Sequence, residues 1–178
     1  ELSRGMNSPS DVFAVIESAV RFANGETLEA HARRVAELWA GFNAVACGNP
    51  HAWIRQPLGA EQIGRASPDN PMISYPYTRL MNANPRVDMA AGVLLCSLAT
   101  ARSAGVPEEK LVYLHAATEA NDSNFLSTRH EFHRSPALRL AGARALELGG
   151  KGSGGIERLD LYSSFAAAVK VEATELGV

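Results

Sequence analysis

Residues 156–177 have the sequence IERLDLYSSFAAAVKVEATELG, which predicts a strand, a turn and a helix in direct succession. Apolar residues recur over 156–162, as in a short strand with a buried face. The helix is expected over 164–176, and Ser163 or Ser164 can supply the oxygen that caps its first turn. Such a corner either only connects two elements or lines a functional site, and the residue types leave both interpretations open.

The same alternation of strand and helix is predicted upstream of this corner. Strands are expected at 87–95, 111–117 and 157–162, and helices at 97–105, 135–148 and 164–176. The first of these strands is almost continuously apolar, which is typical of a parallel strand buried on both faces. The alternation therefore predicts an α/β fold in which 111–117 lies parallel to 87–95 after a right-handed crossover.

Two helices are predicted before this alternating region, within residues 1–60. Ser10 is a suitable N-cap for the first, which the Asn24-Gly25 pair ends. Thr27 can cap a longer second helix that ends at Gly48. Residues 49–85 contain six prolines and several aromatic side chains. An irregular segment of this length is usually functional or disordered, and the aromatic residues argue against disorder.

The composition narrows the class of protein. The 178 residues are 46% hydrophobic and 20% charged with a net charge of −2, so the length predicts one domain or part of a larger one. There is no basic block for nucleic acid or an anionic membrane, and the longest apolar stretch, 88–101, is too short to span a bilayer. The two cysteines are far apart without C-x-x-C spacing, which favours a reducing, cytoplasmic location. Residue 1 is not methionine, so we expect a processed chain or a piece of a longer one.

Three local patterns favour structural interpretations over chemical ones. GKGSGG (150–155) follows a helix and precedes a strand, which is the reverse of a dinucleotide fingerprint. HEFH (130–133) has its histidines three apart rather than four, so no metal site is predicted there. Cys47 and Cys96 lie in apolar surroundings, and both are predicted to be small core residues rather than nucleophiles.

Three segments resemble the thiolase superfamily at the start of its carboxyl-terminal half. They are MISYPYTRLMNANPRVDMAAGVLLCSLATARSAGVP (72–107), HRSPALRLAGARALELGG (133–150) and IERLDLYSSFAAAVKVEATELGV (156–178). The likeness is greatest to sterol-carrier-type thiolases and thiolase-like acetyl-CoA acetyltransferases. Residues 1–60 are similar to the helical insertion of the thiolase-like group.

The resemblance implies one βαβαβα half of a thiolase-type fold, preceded by a helical segment and a long loop. The implied divisions are a helical insertion (1–60), a loop region (61–85) and a partial carboxyl-terminal α/β domain (86–178). An intact thiolase pairs two such halves. The chain is therefore expected to be a fragment that needs the missing half of the fold, in a homo-dimer or a hetero-oligomer.

The resemblance also implies acyl-CoA chemistry at the corner. Thiolases carry Asn-Glu-Ala-Phe or His-Asp-Cys-Phe where this chain has Tyr162-Ser163-Ser164-Phe165. Tyr162 and Ser164 are therefore implied to line an active site, and Asn84 to lie near the thioester end of the substrate. The start of the helix at His133, Arg134 and Ser135 is a candidate contact for the phosphates of coenzyme A, because a helix N-terminus and a guanidinium both favour anions. The same residues can also serve only in packing.

Two functions follow as alternatives. In the first, the chain is a fragment of an acetyl-CoA acetyltransferase-like protein of lipid metabolism that acts on acyl-CoA by Claisen condensation or thiolysis. The coenzyme A thioester is then a substrate, no resident cofactor is expected, and the catalytic thiols lie outside the chain. In the second, which the replacement by Tyr162 favours, it is a non-catalytic subunit or acyl-CoA-binding module that assembles with a catalytic partner.

Overall fold

Six α-helices and one short β-hairpin form the main regular structure of the described residues, 5–84 and 86–178, in a computed structural model. The helices are α1 (Pro9–Ala23), α2 (Leu28–Cys47), α3 (Ala60–Gly64), α4 (Leu98–Ser103), α5 (Pro136–Leu148) and α6 (Ala166–Leu176). The strands are β1 (Met72–Ser74) and β2 (Tyr77–Thr78). Single 3₁₀ turns lie at Arg79–Met81, Glu108–Lys110, Leu126–Thr128 and Ser153–Gly155. Among these described helices, none is long and apolar enough to cross a bilayer.

Helix α1 begins two residues before the predicted position. Its N-cap is Ser8, whose side-chain oxygen accepts the Asp11 N–H while the Asp11 carboxylate accepts the Ser8 N–H. Pro9 occupies the first helical position, which suits a residue without an N–H. The prediction of Ser10 as the cap is wrong because this reciprocal pair satisfies the free amides first. Ser10 instead donates to the side-chain oxygen of Asn82 at 2.6 Å.

The predicted ends of α2 and α5 are confirmed. Thr27 accepts the Ala30 N–H at 3.2 Å at the start of α2, which ends at Gly48. Ser135 caps α5 in the same way by accepting the Leu138 N–H at 3.2 Å. These caps are local interactions, so the sequence alone is sufficient to predict them.

Helix α6 starts without the predicted serine cap. Its N-cap is Phe165, whose side chain makes no capping hydrogen bond. The Phe165 ring is buried and stacks on Phe13 with 4.4 Å between ring centroids. The Ala167 N–H, one of the first amides of α6, donates to the hydroxyl of Tyr77 at 3.3 Å. Core packing of an aromatic ring therefore sets this helix start, and the prediction of Ser163 or Ser164 as the cap is wrong.

The predicted long loop contains regular structure held by two asparagines. Strands β1 and β2 pair antiparallel across a turn with a cis Tyr75–Pro76 peptide, and Met72 faces Thr78. Asn70 donates to the Ile63 carbonyl at 2.9 Å and accepts the Leu80 N–H at 3.0 Å. Asn43 accepts the Leu58 N–H at 2.8 Å. The side-chain amides thus form hydrogen bonds with backbone groups of the loop, which have no partners in a helix or sheet of the described residues.

The buried core lies where α1, α2, α3 and the hairpin meet α6. One cluster of buried side chains comprises Val35, Ala36, Ile63, Tyr77, Met81, Phe165 and Ala166. A second comprises Ile16, Val20, Leu126 and Ala167. Both clusters join residues from the amino-terminal helices to the first turn of α6. The start of α6 is therefore the centre of the described packing.

The three strands predicted after residue 86 are not confirmed. Residues 87–95, 111–117 and 157–162 lie outside every helix and strand, and the β1–β2 hairpin is the only sheet within 5–84 and 86–178. Their apolar side chains face outward, with Leu94 99% exposed and Val112 96% exposed. A strand forms only when its backbone groups find a neighbouring strand. The described residues contain no such neighbour for these segments, so a βαβαβα half is not established here.

Candidate functional site

A group of polar side chains from four elements meets in the interior. We call it the Glu17 cluster, and it comprises Glu17 of α1, His31 of α2, Tyr77 of β2, Lys170 of α6 and Glu26 of the α1–α2 turn. The Lys170 ammonium donates to Glu17 Oε1 at 2.6 Å, and His31 Nε2 lies 2.6 Å from the same oxygen. The Tyr77 hydroxyl donates to Glu17 Oε2 at 2.5 Å. Both carboxylate oxygens of this fully buried residue are thus satisfied.

His31 joins the two carboxylates of the cluster. Its Nδ1 lies 2.5 Å from Glu26 Oε2, and Arg34 Nη2 donates to that oxygen at 2.9 Å. Each ring nitrogen of His31 thus lies within hydrogen-bond distance of a carboxylate oxygen, one from Glu17 and one from Glu26.

The environment sets the charge states within the cluster. Burial raises the pKa of Glu17, but hydrogen bonds from His31 and Lys170 and the charge of Lys170 more than offset this and hold it below its usual value. Burial raises the pKa of Tyr77, and the adjacent Glu17 carboxylate raises it further. Burial also lowers the pKa of Lys170 despite its contact with Glu17. At neutral pH, Glu17 is thus an anion that receives a hydrogen bond from a neutral tyrosine, and the cluster cross-links α1, α2, β2 and α6.

Sequence reasoning missed this cluster, although a partial signal existed. Glu17 lies one helical turn from Val20, and His31 lies one turn from Val35, so both are on faces that carry core residues. A charged residue on such a face indicates a buried partner. The partner Lys170 is 153 residues away from Glu17, and no local pattern connects them.

The predicted corner brings Tyr162 and Ser164 onto one turn, with different exposure. Tyr162 is 56% exposed, its N–H donates to Glu172 Oε2 at 2.8 Å, and its ring centroid lies 6.4 Å from that of Phe13. Ser164 is half-buried beside Phe165. Tyr162 is thus an exposed residue, whereas Ser164 is only partly accessible.

An open cavity of about 410 Å³ adjoins this corner. Its walls are formed by Phe42, Leu159, Asp160, Leu161, Ser163 and Val169. Four of these six side chains are apolar, so the cavity suits an apolar group. Ser163 lines it, whereas the predicted pair Tyr162 and Ser164 does not.

The start of α5 already binds two carboxylates of the chain. Arg134 donates through Nε to Glu175 Oε1 at 2.6 Å and through Nη2 to Oε2 at 3.1 Å. The Ser135 N–H also donates to Glu175, at 2.9 Å. Asp122 accepts the Ser135 hydroxyl at 2.5 Å and the Ala137 N–H at 3.1 Å. The hydrogen bond from Arg134 is the main reason that the pKa of Glu175 is lowered. A phosphate at this helix start would have to compete with these two carboxylates.

The remaining predicted residues lie at the surface or in loops. Asn84 is exposed and accepts the Arg86 N–H at 3.0 Å. Cys96 is exposed, so its prediction as a core residue is wrong, because the segment that carries it has no packing partner in the described residues. Cys47 is half-buried, and its thiol donates to Asn43 Oδ1 at 3.7 Å. Within 5–84 and 86–178, no three His, Cys, Asp or Glu side chains, including those of HEFH, are grouped to hold a metal ion.

Comparison with known proteins gives a structural likeness over nearly the whole chain. No protein-family model matches the sequence. The chain is similar to a solved structure described as a monomeric SCP2-thiolase like protein type 1 from Mycobacterium smegmatis, with a TM-score of 0.83 and 29% sequence identity. The match covers 98% of this chain and 38% of that chain. The fold is therefore a thiolase-like α/β fold, and the chain corresponds to less than two fifths of its neighbour's length.

Proposed function

We propose that this chain is part of an acetyl-CoA acetyltransferase-like protein of the thiolase superfamily, which acts on acyl-CoA thioesters by Claisen condensation or thiolysis. The observation that carries the proposal is the likeness to an SCP2-thiolase-like protein over 98% of the chain. The segments 72–107, 133–150 and 156–178 support it independently, because their sequences resemble thiolases. Coenzyme A enters as part of the substrate rather than as a resident cofactor.

The proposed reaction needs a nucleophile that these residues do not provide. Attack on a thioester requires an activated thiolate, commonly one beside a histidine or another cation. The Cys47 thiol contacts the amide of Asn43, and Cys96 lies exposed in an apolar segment. Among the described residues, no hydrogen bond joins either thiol to a base. We therefore propose that the missing half of the thiolase fold supplies the catalytic cysteine.

The exposed apolar segments support the need for that missing half. Leu94, Leu95 and Val112 are each at least 90% exposed. Exposed apolar side chains of this kind can mark a surface that packs against another structure. The similar protein is described as monomeric. This favours an arrangement in which one polypeptide contains both halves of the fold, rather than a homo-dimer or a hetero-oligomer in which another chain supplies the missing half.

The corner provides the proposed contacts to the reacting end of the substrate. Tyr162 is an exposed residue, and its hydroxyl can donate one hydrogen bond to a carbonyl oxygen that gains charge, the role an oxyanion site requires. Ser164 would line the same turn, and Asn84 would lie near the thioester. The apolar wall of the 410 Å³ cavity, which includes Phe42 and Val169, would hold the acyl chain.

The contact to the phosphates of coenzyme A stays a prediction for His133, Arg134 and Ser135. Replacing Arg134 by Ala should weaken coenzyme A binding by about 1–3 kcal/mol, the usual loss for a hydrogen bond to a charged group. Calorimetric titration of coenzyme A into the intact protein measures this. Unchanged affinity in a folded variant would leave Arg134 with its observed role as the partner of Glu175.

A second function, a non-catalytic acyl-CoA-binding module, is favoured by the identity of residue 162. Thiolases carry Asn or His at this position of the motif, whereas this chain carries tyrosine. A phenol has a single O–H donor. Its geometry also differs from that of an amide or imidazole. Such a module would bind acyl-CoA and leave the chemistry to a catalytic partner.

The two functions are separated by measuring turnover and binding in the intact protein that contains this chain. Loss of acetoacetyl-CoA in the presence of coenzyme A reports thiolysis, and calorimetry with acetyl-CoA reports binding. Turnover would support the enzyme, binding without turnover would support the module, and the absence of both would contradict both proposals.

Two matched variants test the corner directly. If the enzyme proposal holds, Tyr162→Phe should lower kcat/KM by about 10²-fold, as for loss of one donor to an oxyanion. The control Tyr113→Phe removes the hydroxyl of a tyrosine of similar exposure, 53% against 56%, outside the corner. It should change kcat/KM less than twofold. Equal effects of the two variants would remove Tyr162 from the proposed site.

A further inference from the structure

A second open cavity, of about 520 Å³, lies between α1, α2, α6 and the start of α5. Its walls are formed by Val20, Ala23, Asn24, Arg34, His133, Arg134, Lys170, Val171, Ala173 and Thr174. The lining thus includes three cationic side chains and one histidine. No acidic side chain is among the described residues that line it. The functional site proposed above does not use this cavity, apart from the residues at the start of α5.

Each cation is held by a carboxylate that lies outside the cavity lining. Lys170 contacts Glu17 at 2.6 Å, and Arg34 contacts Glu26 at 2.9 Å. Arg134 contacts Glu175 at 2.6 Å. The side chains of Glu17 and Glu175 are 0% and 1% exposed, so these anchoring charges lie behind the wall. The three cations are therefore positioned before any ligand arrives, which lowers the ordering cost of binding.

The anchoring carboxylates are shared with other donors. Glu17 also accepts from Tyr77 and faces His31, and Glu26 faces the second nitrogen of His31. Glu175 also accepts the Ser135 N–H. Among the described residues, none of these carboxylates lines the cavity, so the charged groups on its wall are the cations.

The cations also keep donors that their carboxylates do not use. An ammonium has three N–H donors, and Lys170 gives one of them to Glu17. A guanidinium has five, and Arg34 gives one to Glu26 while Arg134 gives two to Glu175. Phosphate oxygens accept hydrogen bonds from donors of these types. The two guanidinium groups can each bind two oxygens, and the Lys170 ammonium adds a compact positive charge.

We infer that this cavity binds a phosphate ester or pyrophosphate group through Arg34, Arg134 and Lys170. A volume of about 520 Å³ leaves room for a ligand larger than an inorganic phosphate. The inference needs only a phosphate-bearing ligand and does not rest on the proposed reaction. It shares Arg134 with the coenzyme A contact predicted above, and the experiment separates these two sources of phosphate.

The primary experiment is calorimetric titration of pyrophosphate into the intact protein and two charge-matched variants. Arg34→Gln removes a cation that lines the cavity, and its exposed pair with Glu26 contributes little to folding. Arg33→Gln removes the same charge from the neighbouring position of α2, outside the cavity lining. We expect Kd to rise at least tenfold for Arg34→Gln and less than twofold for Arg33→Gln. Equal rises in the two variants, or no binding by the unchanged protein, would overturn the inference.

A variant that fills the cavity gives a second, independent readout. Ala173→Glu places an acidic side chain in the lining of the cavity, so repulsion and occupied volume should abolish pyrophosphate binding. Binding that persists in a folded Ala173→Glu protein would place the anion elsewhere and overturn the inference.

A competition arm then identifies the source of the phosphate. If the site takes the phosphates of coenzyme A, added coenzyme A displaces pyrophosphate, and Arg34→Gln weakens both ligands by the same factor. If coenzyme A leaves pyrophosphate bound, the site serves a different phosphate ester. Failure of the thiolysis assay changes neither outcome.

Discussion

The surroundings of α6 and the segment 86–100 contain similar apolar side chains but differ in burial. Val35, which packs near the start of α6, is 0% exposed, whereas Leu94 is 99% exposed. Around α6, three other helices and the hairpin supply partners for both apolar and charged side chains. The segment 86–100 contacts no comparable set of partners in the described residues. An apolar side chain is therefore buried only where another part of the structure packs against it. Apolar composition alone does not determine whether such a partner is present.

The largest expected effect tests the charged interior around α6. Glu17→Gln should lower the free energy of unfolding of the 178-residue chain by about 3–5 kcal/mol, because it leaves the buried donors of His31, Lys170 and Tyr77 without their anion. Denaturant unfolding monitored by circular dichroism measures this. The control Glu37→Gln, on the exposed face of α2, should change stability by less than about 0.5 kcal/mol. Similar values for both variants would mean that the cluster does not hold the helices together.

A matched pair of truncations tests the comparison itself. Val35→Ala should cost about 2 kcal/mol because it leaves a cavity in the core. Leu94→Ala should cost less than about 0.5 kcal/mol in the same chain, since the side chain is exposed. Repeating Leu94→Ala in the intact protein sharpens the result. A cost there of about 2 kcal/mol or more would show that the missing part of the fold covers 86–100, and equal small costs in both would contradict that proposal.

Helix caps should show a smaller difference between the two regions. Thr27→Ala removes the cap of α2, which packs into the core, and should cost about 1 kcal/mol. Ser97→Ala removes the equivalent cap of α4, a six-residue helix that buries one side chain, Ala101. Its loss should fray α4 locally and leave global unfolding nearly unchanged. Amide hydrogen exchange distinguishes local from global loss, and an equal global cost for both caps would place α4 in the same cooperative unit as α2.

Acidification should give the most gradual effect. The pKa values of Glu17, Glu26 and Glu175 are all below the usual 4.5 in the folded chain. Their contribution to stability is therefore fully present above pH 4.5 and is lost as the pH falls through the folded values. Unfolding free energies measured between pH 7 and pH 3 should decline only below about pH 5. The decline should be shallower in Glu17→Gln and unchanged in Leu94→Ala, and a decline starting near pH 7 would point to another group.

The sequence by itself was sufficient for features that depend on neighbouring residues. It predicted α2 and α5 with their caps at Thr27 and Ser135, because a capping hydrogen bond spans three residues. It also supported a thiolase resemblance, which the structural likeness bears out at the level of fold. The start of α1 was placed wrongly because two serines competed as caps and only one forms the reciprocal pair with Asp11.

The tertiary structure alone decided which charged residues became buried and which apolar segments remained exposed. Glu17 and Lys170 are 153 positions apart, so their pairing depends on how α1 and α6 pack. The start of α6 depends on Phe165 stacking on Phe13, which overrides the nearby serines. The predicted strands formed no sheet because strand pairing needs a neighbour that local sequence cannot supply. Local hydrogen bonds can be predicted from sequence because their partners are adjacent, whereas burial and pairing depend on partners that only folding brings together.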